Sequence, residues 1–477
     1  MSELPKGWVA SSIGEACLIE NGLRKPISLK ERASCQGHYP YYGATGVIDY
    51  LNNYTHEGEY VLIGEDGANL LSKSKPLAFI AKGKYWVNNH AHTLRCLADS
   101  PNLYLEKYFN SLSLESWVTG SAQPKLTKKN LESIPYPLAP LNEQKRIVEK
   151  LDEVLAQVDT IKARLDGIPV ILKRFRQSVL AAAVSGKLTE EWRMENIFNA
   201  KAQLKAIKDQ NPSKPPKDEL AIFDKLPRCW EWALVKQVGE VQLGRQRAPK
   251  YHQGNNMRPY LRVANVMEGY IDTSDVMEMV FDESDFERYK LVKGDVLLNE
   301  GQSHELVGRP SLFNDELENV CFTNTLVRFR AYDGVHNKFA YFVFLNQMKT
   351  GRFQQIASRT VNISHLGAGR FADIEFPFPS IEEQKEIGRL VEQYFAFADA
   401  IEAQVKKAQT RVDNLTQSIL AKAFRGELVD QDPNDEPADK LLERIAAARK
   451  EAEALAKAAK KAQSTKSVAK KKTAKSA

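Results

Sequence analysis

The sequence predicts an α/β (α+β) protein in which two tandem α/β domains are separated by two long helices that form an antiparallel coiled coil. Three observations predict this fold. The segment from Leu141 to Leu188 recurs without a gap 240 residues later, from Ile381 to Leu428. Each copy carries one apolar stripe with a seven-residue period. Each copy also follows a stretch of short β-like runs separated by Gly, Asn and Asp. The chain is therefore interpreted as an internal repeat with pseudo-twofold symmetry.

The apolar stripe falls at alternating steps of four and three residues, which favours a left-handed coiled coil. A long helix cannot bury such a stripe alone, and the chain offers two stripes of equal length, so the helices are expected to pack on each other. The alternative is that each stripe packs on a globular domain. The stripe positions are Ile147, Leu151, Val154, Val158, Ile161, Leu165, Ile168, Leu172, Phe175 and Val179, each with a counterpart 240 residues later.

The first predicted α/β domain covers residues 1–140 and ends at the turn signal Pro135-Tyr-Pro137. A long spacer helix at 141–190 follows it. Within this helix Gly167 and Pro169 predict a kink or a break, because proline removes a helical hydrogen bond.

The second half of the chain repeats this order. Leu226-Pro-Arg-Cys-Trp230 echoes the opening Leu4-Pro-Lys-Gly-Trp8. The lysine-rich end is expected to be disordered, because it lacks the apolar residues needed for a core. The predicted segments are a polar linker at 191–222, a second α/β domain at 223–380, a second spacer helix at 381–430, and a helical, then lysine-rich and disordered tail at 431–477.

The charge distribution restricts where a polyanion could bind. The net charge is +6, but eight lysines and no acid occur from Lys457 to the end, so the remainder carries about −2. A nucleic-acid surface on the body must therefore be a local basic patch. The five cysteines are scattered without a Cys-x-x-Cys pair, and no apolar run is long enough to span a membrane. These features favour a reducing cytoplasm and no membrane partner.

Motifs of known catalytic centres are absent from the sequence. It contains no Gly-x-x-x-x-Gly-Lys-Ser/Thr or Gly-x-Gly-x-x-Gly loop, no Asn/Asp-Pro-Pro-Tyr/Phe element of amino-methyltransferases, and no His/Cys cluster with metal spacing. Glu65 and Asp66 form an acidic pair that is expected to be solvated rather than part of a nuclease. His90 and His92 could bind a metal, but polar residues of a binding loop are the favoured interpretation. We therefore expect no catalytic residues, cofactor or metal on this chain.

The layout resembles the specificity (S) subunit of Type I restriction-modification enzymes. The resemblance spans nearly the whole chain and is strongest in the two long helices, in the closures Ile134-Pro-Tyr-Pro137 and Ile374-Glu-Phe-Pro377, and in the helix end Ser418–Leu428. It implies that the α/β domains are target-recognition domains, each reading half of a split double-stranded DNA site across an unread spacer that the helices set. It also implies two modification (M) subunits, which supply S-adenosylmethionine and adenine methylation. Restriction (R) subunits would supply translocation and cleavage that depend on ATP and Mg.

Polar residues in loops of the two α/β domains are the candidate DNA contacts. Base edges are read by Arg, Lys, Asn, Gln, Ser or Thr, and phosphates are held by Lys, Arg and backbone N–H groups. The loops at 119–125 and 358–364 occupy equivalent positions ahead of the two closures, which favours a common role. The candidate residues are Tyr42, Thr45, Asn88, His90, Ser121, Gln123 and Lys125 in the first domain, and Arg262, Asn265, Gln302, Ser303, Asn324, Arg359, Asn362 and Ser364 in the second.

Two other classes of protein explain part of the pattern. A coiled-coil scaffold or adaptor without DNA specificity would account for the helices, but two dissimilar domains on matched helices argue against it. A self-contained restriction enzyme should carry nuclease and methyltransferase motifs, which the sequence lacks.

Overall fold

The computed structural model describes residues 4–120, 123–196, 198–215 and 225–473. The chain divides into two compact units: unit 1 comprises Met1–Leu165 and Lys407–Ala477, and unit 2 comprises Asp166–Lys406. Each unit combines one α/β domain with one half of each long helix. In the described part of the chain, none of the helices is long and apolar enough to cross a membrane.

The α/β domain of unit 1 contains two four-stranded sheets and a closing strand pair. Its strands are β1 (Val9–Ser12), β2 (Cys17–Ile19), β3 (Gln36–Gly43), β4 (Gly46–Leu51), β5 (His56–Glu57), β6 (Tyr60–Gly64), β7 (Ala78–Ala81), β8 (Lys84–Val87), β9 (Ala91–Cys96) and β10 (Pro135–Leu138). Its helices are α1 (Ile13–Ala16), α2 (Leu29–Ser34), α3 (Asn69–Ser72), α4 (Asn102–Ser111) and α5 (Lys128–Glu132), followed by the long α6 (Leu141–Val184). The sheets have the orders β2-β9-β6-β7 and β4-β3-β8-β5, and β1 pairs with β10.

The α/β domain of unit 2 contains one four-stranded sheet, two three-stranded sheets and a closing strand pair. Its strands are β11 (Glu231–Leu234), β12 (Gly239–Leu243), β13 (Met257–Leu261), β14 (Met277–Val280), β15 (Val296–Asn299), β16 (Gly301–Gln302), β17 (Pro310–Leu312), β18 (Cys321–Phe322), β19 (Leu326–Ala331), β20 (Ser358–Arg359), β21 (Ser364–His365) and β22 (Glu375–Phe378). The remaining helices are α7 (Glu190–Glu195), α8 (Ala200–Gln210), α9 (Val235–Val238), α10 (Glu283–Tyr289), α11 (Asn337–Lys349), α12 (Arg352–Ile356), α13 (Ala368–Ala372), α14 (Ile381–Ala423) and α15 (Ala438–Thr473).

The two domains share one topology although their interiors differ in sequence. The sheet β2-β9-β6-β7 corresponds to β12-β19-β15-β17, and the closing pair β1·β10 corresponds to β11·β22. A parallel pair occurs in each second sheet, between β3 and β8 and between β13 and β18. The shared strand orders show that the duplication extends through the domains as well as the helices. The sequences can differ because different apolar side chains fill the same sheet interior when the apolar pattern and the total volume are kept.

The two long helices run antiparallel. In unit 1 the first half of α6 lies beside the last half of α14, where Lys162 Nζ pairs with Asp413 Oδ1 at 2.8 Å. In unit 2 the last half of α6 lies beside the first half of α14, where Arg176 Nη2 pairs with Asp399 Oδ1 at 2.5 Å. The predicted antiparallel coiled-coil helices and the mixed α/β fold class are therefore confirmed.

Burial along the apolar stripe is uneven. Ile147 belongs to the core of the α/β domain of unit 1, and Ile387 belongs to that of unit 2, so the outer parts of both stripes pack on the domains. Val158 and Val405 are also buried, but Ile161 is 47% exposed. The sequence allowed two ways to cover the stripe, by packing of the helices on each other or by packing on the α/β domains. Both occur, in different parts of the helices.

A buried hydrogen bond between an indole and a carboxylate joins each domain to the helix that follows it. Trp8 Nε1 donates to Glu143 Oε2 at 3.0 Å, and Trp230 Nε1 donates to Glu383 Oε2 at 2.9 Å. Leaving either buried partner unpaired would cost about 1–3 kcal/mol. This contact explains why both domains open with Leu-Pro-x-x-Trp and why both helices begin with an acidic turn.

Three helical segments differ from what the sequence led us to expect. α6 continues through Gly167 and Pro169 without the break that the sequence allowed, and the kink stays a prediction. The expected linker at 191–222 contains α8, whose Leu204 and Ile207 are buried because they recur at helical spacing within a lysine-rich segment. Residues 216–222 of this linker lie outside the described residues. The lysine-rich end, expected to be disordered, has a helical backbone as far as Thr473, because alanine and lysine both favour helix.

Candidate functional site

Four segments of unit 1 meet at one end of its sheet and form what we call loop cluster 1, at 43–46, 64–68, 88–92 and the described part of 119–126. β6 ends and β9 begins at this edge, because Gly64 pairs with Ala91 in antiparallel register. A Cβ added to Gly64 would lie 3.0 Å from Ala44 O, so the β3–β4 turn packs directly on the end of β6. The candidate residues Thr45, Asn88, His90, Gln123 and Lys125 therefore lie on neighbouring loops.

Backbone hydrogen bonds build loop cluster 1 around Glu65. Glu65 N donates to His90 O at 2.8 Å, and Leu126 N donates to Glu65 O at 2.8 Å. Gly67 N donates to Pro124 O at 3.0 Å, which joins the same two loops a second time. Because these bonds use backbone groups, the side chains of the cluster can differ without loss of its shape.

The Glu65 carboxylate is held by two cations. Arg24 Nη1 lies 2.5 Å from Glu65 Oε2, and Lys125 Nζ lies 3.3 Å from Glu65 Oε1. Arg24 Nη1 also donates to Ala91 O at 2.9 Å. Burial raises the pKa of Glu65, but the Arg24 hydrogen bond and nearby positive charge outweigh it, so this pKa lies below its usual value. The expectation that Glu65 and Asp66 are solvated was wrong, because their side chains are only 13% and 17% exposed.

The two histidines of the cluster have different roles. The His92 ring is buried: Nε2 donates to Leu126 O at 2.8 Å, and Nδ1 accepts from Asn21 Nδ2 at 2.9 Å. Burial lowers the pKa of His92, which agrees with this neutral tautomer. His90 is exposed, and its Nδ1 lies 2.8 Å from Asp66 Oδ2. Among the described residues, the structure contains no group of His, Cys, Asp or Glu that could hold a metal ion.

Unit 2 repeats this construction around Glu300, in what we call loop cluster 2, at 262–265, 299–304, 323–325 and 358–366. Glu300 N donates to Thr325 O at 2.9 Å, and Leu366 N donates to Glu300 O at 2.8 Å. His365 Nδ1 lies 3.0 Å from Glu300 Oε2, where unit 1 has a lysine against its glutamate. Val263 N also donates to Thr325 Oγ1 at 3.1 Å, which draws in the loop after β13.

The two clusters are equivalent in backbone and different in side chain. Lys125 and Leu126 stand 240 residues before His365 and Leu366, so the repeat register of the helices extends into these loops. The paired groups at the centre are Lys125 with Glu65 in one unit and His365 with Glu300 in the other. The fold thus presents two sets of different side chains on one frame.

The structure distributes the predicted contact residues over three environments. Ser121 lies outside the described residues. Asn88, Asn265 and Ser364 are buried. Tyr42, Arg262, Gln302 and Asn324 are half-buried. The exposed ones are Thr45, His90, Gln123, Lys125, Ser303, Arg359 and Asn362.

The buried candidates hold their own loops together. Asn265 Oδ1 accepts from Arg262 N at 3.0 Å, and its Nδ2 donates to Asp272 O at 2.9 Å. Asn88 Oδ1 accepts from His90 N at 2.8 Å. Asparagine in a loop often bonds to nearby backbone in this way, so residue type and loop position could not distinguish a shaping residue from a projecting one.

A short hairpin projects several of the exposed candidates of unit 2. β20 pairs with β21 through Arg359 and Ser364, and Thr360 N donates to Ile363 O at 2.9 Å to close the turn. Val361 at the tip is 91% exposed. A backbone-closed turn holds its tip side chains at fixed positions, as a group that reads a surface requires.

Two arginines of the clusters were missed by the sequence analysis. Arg24 follows β2 and binds Glu65, and Arg245 follows β12 and pairs with Asp285 at 2.6 Å. Arg245 O also accepts from Asn324 N, inside loop cluster 2. The sequence offered only a weak signal for these two arginines. Each follows a glycine within two residues, and each comes after the corresponding strand of its domain, β2 or β12.

Comparison with known proteins agrees with this architecture. The family model described as "Type I restriction modification DNA specificity domain" matches residues 5–170 and 227–409. The two matches cover both α/β domains, both loop clusters and most of both long helices.

Characterised relatives cover most of the chain. The Type I restriction enzyme EcoDI specificity subunit of Escherichia coli is 29% identical over 94% of this chain and 96% of its own length. The EcoKI specificity subunit of E. coli strain K12 is 35% identical over 72% of this chain and 69% of its own length. A chain solved in work on "complex assembly" and "conformational transition of the type I R-M system" superposes with a TM-score of 0.56 at 17% identity, covering 90% of this chain and 100% of that one.

Proposed function

Because the chain belongs to the Type I restriction-modification DNA specificity family, we propose that it is the subunit that selects the DNA sequence for its enzyme and carries no catalytic centre itself. The observation that supports this most directly is the pair of loop clusters, equivalent in backbone and different in side chain. Two such readers in one chain suit a DNA site made of two different halves, because each cluster offers its own pattern of donors and acceptors.

The exposed residues of each cluster suit two kinds of DNA contact. Lys125 and Arg359 supply positive charge, which binds phosphate on any sequence. Gln123 and Asn362 supply side-chain amides, which can read adenine with two hydrogen bonds. Lys125 already pairs with Glu65, so its phosphate contact must compete with that carboxylate or share the ammonium with it.

The buried candidates receive a different role in this proposal. Asn88 and Asn265 bond to the backbone of their own loops, so they shape the reading surface rather than touch bases. Ser364 is buried beside His304, with its Oγ 3.3 Å from the ring Nδ1. Substitution of these residues should disturb a whole half-site and not one base position.

Exposed residues that are identical in both helices support two copies of one partner. Lys145, Gln177 and Ser178 recur 240 residues later and are exposed in both copies. Packing within the chain does not explain why these exposed residues are the same in both long helices. Docking of the same protein on each helix does explain it. We therefore assign these surfaces to two methyltransferase (M) subunits, which would bring S-adenosylmethionine. Restriction (R) subunits would bring the ATP- and Mg-dependent steps, in the cytoplasm where the DNA is.

Sequencing of methylated bases tests the proposed function. The chain would be produced with its methyltransferase subunit in a host without other adenine methylation, beside a control that lacks this chain. We expect methylated adenines only when the chain is present, in a site of two different half-sites separated by unread bases. Methylation that persists without the chain, or a palindromic site, would contradict the proposal.

A further inference from the structure

The end of α6 in unit 2 borders a cavity of about 590 Å³ against α11 and the strands β11 and β22. Its wall includes Val184 of α6, Val343 and Gln347 of α11, and Trp232 of β11. All of these residues belong to unit 2. Small-molecule sites in proteins have volumes of about 300–1,000 Å³, so this cavity is large enough for a ligand.

The corresponding place in unit 1 is filled by aromatic rings. Val184 corresponds to Phe424 at the repeat spacing of 240 residues. The centroid of the Phe424 ring lies 5.0 Å from that of Tyr108 and 5.2 Å from that of Tyr104, both on α4. α4 and α11 each begin with asparagine six residues after the end of β9 or β19, so Tyr108 corresponds to Val343. Two rings of unit 1 are therefore replaced by valines in unit 2, and space remains between them.

The same replacement changes the hydrogen bonding of the strand that closes the domain. In unit 1 the Tyr108 hydroxyl donates to Pro135 O at the start of β10. In unit 2 Gln347 Nε2 donates instead, to Glu375 O at the start of β22, at 2.8 Å. Gln347 is 7% exposed, and its Oε1 has no hydrogen-bond partner among the described residues. Buried acceptors normally have a donor, so this oxygen suits a ligand that brings one.

We propose that the cavity binds a small planar aromatic molecule that carries an N–H or O–H group. The ring would fill the space that Phe424 and Tyr108 fill in unit 1, beside the indole of Trp232. The N–H or O–H group would donate to Gln347 Oε1. A ligand in this position would contact α6 and α11 together and so stabilise the packing of the second α/β domain on the end of α6.

The charges of the cavity wall favour a neutral ring. Arg352 Nε donates to Glu375 Oε1 at 2.7 Å, and Arg352 Nη2 donates to Glu375 Oε2 at 2.8 Å. This paired arrangement neutralises the two side chains, and it holds the same residue whose carbonyl accepts from Gln347.

Titration of indole and 1-methylindole tests the site in the full chain, with binding followed by ligand-observed NMR. Indole carries one N–H donor, and 1-methylindole differs by lacking it. We expect indole to bind one site with a Kd of about 1 mM, an ordinary affinity for a ligand of about nine heavy atoms. 1-Methylindole should bind about 3- to 10-fold more weakly, because it cannot donate to Gln347 Oε1.

Two variants locate the binding in this cavity. Val184→Phe copies the ring at the corresponding position of unit 1, and it should weaken indole binding at least about tenfold by occupying the space. Ile171→Phe is the matched control, since it adds a ring to the same helix at a side chain that is 63% exposed and is not part of the cavity wall. Gln347→Met should abolish the difference between indole and 1-methylindole, which tests the site even where Val184→Phe does not fold.

Several results would overturn the site. They are no indole binding up to about 10 mM, equal binding by the original chain and Val184→Phe, and equal affinity for the two indoles in the original chain. The titration is repeated with the methyltransferase subunits bound, and loss of indole binding there would show that the cavity receives a side chain of a partner protein instead. The proposal does not depend on the DNA-reading function, so failure of either leaves the other standing.

Discussion

Removing the guanidinium of Arg24 should open loop cluster 1 and leave loop cluster 2 intact. Arg24→Met keeps the length of the side chain but leaves the Glu65 carboxylate, 13% exposed, with Lys125 as its remaining cation. It also removes the hydrogen bonds from Arg24 Nη1 to Ala91 O and Asn89 O, at 2.9 and 3.3 Å. The loops that these contacts join should separate more often.

The expected cost follows from the burial of the pair. Removing one partner of a fully buried ion pair costs about 3–5 kcal/mol. This cost is smaller here, because Lys125 remains 3.3 Å from the Glu65 carboxylate and the carboxylate is partly exposed. We therefore expect Arg24→Met to lower the free energy of local opening by about 2–3 kcal/mol. At 1.4 kcal/mol per tenfold, that is roughly a 30- to 150-fold increase in the open population.

Hydrogen exchange read by mass spectrometry measures this population. Amides of residues 88–92 should exchange faster in Arg24→Met by that factor, and amides of 323–326 in unit 2 should not change. Arg24→Met combined with Glu65→Gln should recover most of the protection, because no buried charge is then left with too few partners. Arg95→Met is the control, since Arg95 pairs with Glu20 at 2.8 Å but is 40% exposed, and such pairs contribute about 0–1 kcal/mol.

The effect should depend on pH in a defined direction. The folded-state pKa of Glu65 is lowered, so the stability it contributes is present above its unfolded pKa and lost as pH falls through the folded value. The difference between Arg24→Met and the original chain should therefore shrink in acid. Equal exchange in the single and double variants, or faster exchange in Arg95→Met than in Arg24→Met, would refute the ion-pair reasoning.

Three further predictions concern the reading of DNA. Replacing residues 1–140 by the corresponding domain of a relative should change one half-site in a methylome, and a change in both halves would contradict independent reading. Lys125→Ala and Arg359→Ala should weaken binding alike on all sequences and lower the salt slope by about 0.9 each. Gln123→Ala and Asn362→Ala should instead cost about 1–3 kcal/mol of discrimination at one base pair, and titrations on cognate and altered sites that show no difference among the four would reject these assignments. Inserting seven residues into both α6 and α14 adds about 10 Å along the helices and should lengthen only the unread spacer, by up to about three base pairs. Active insertion variants with the original spacer would show that other elements set the distance.

The sequence by itself determined the features that depend on local order along the chain. The seven-residue stripe and the repeat at a spacing of 240 residues were sufficient for two antiparallel helices, because a coiled-coil stripe is periodic and needs a partner. The repeated Leu-Pro-x-x-Trp opening showed that the domains are also repeated. The same local reasoning missed α8, whose buried Leu204 and Ile207 stand among charged residues such as Lys201, Lys205 and Lys208.

Only the tertiary structure decided what the loops do. Glu65 meets Arg24 and Lys125 across gaps of about 40 and 60 residues, and no local pattern marks contacts of that range. The sequence identified most of the loops because Gly, Asn and charged residues mark turns. It could not separate Asn265, which bonds to its own loop, from the exposed Asn362, because residue type does not determine burial. Burial is decided by packing between distant segments, and that packing also gave two dissimilar domains the same backbone frame.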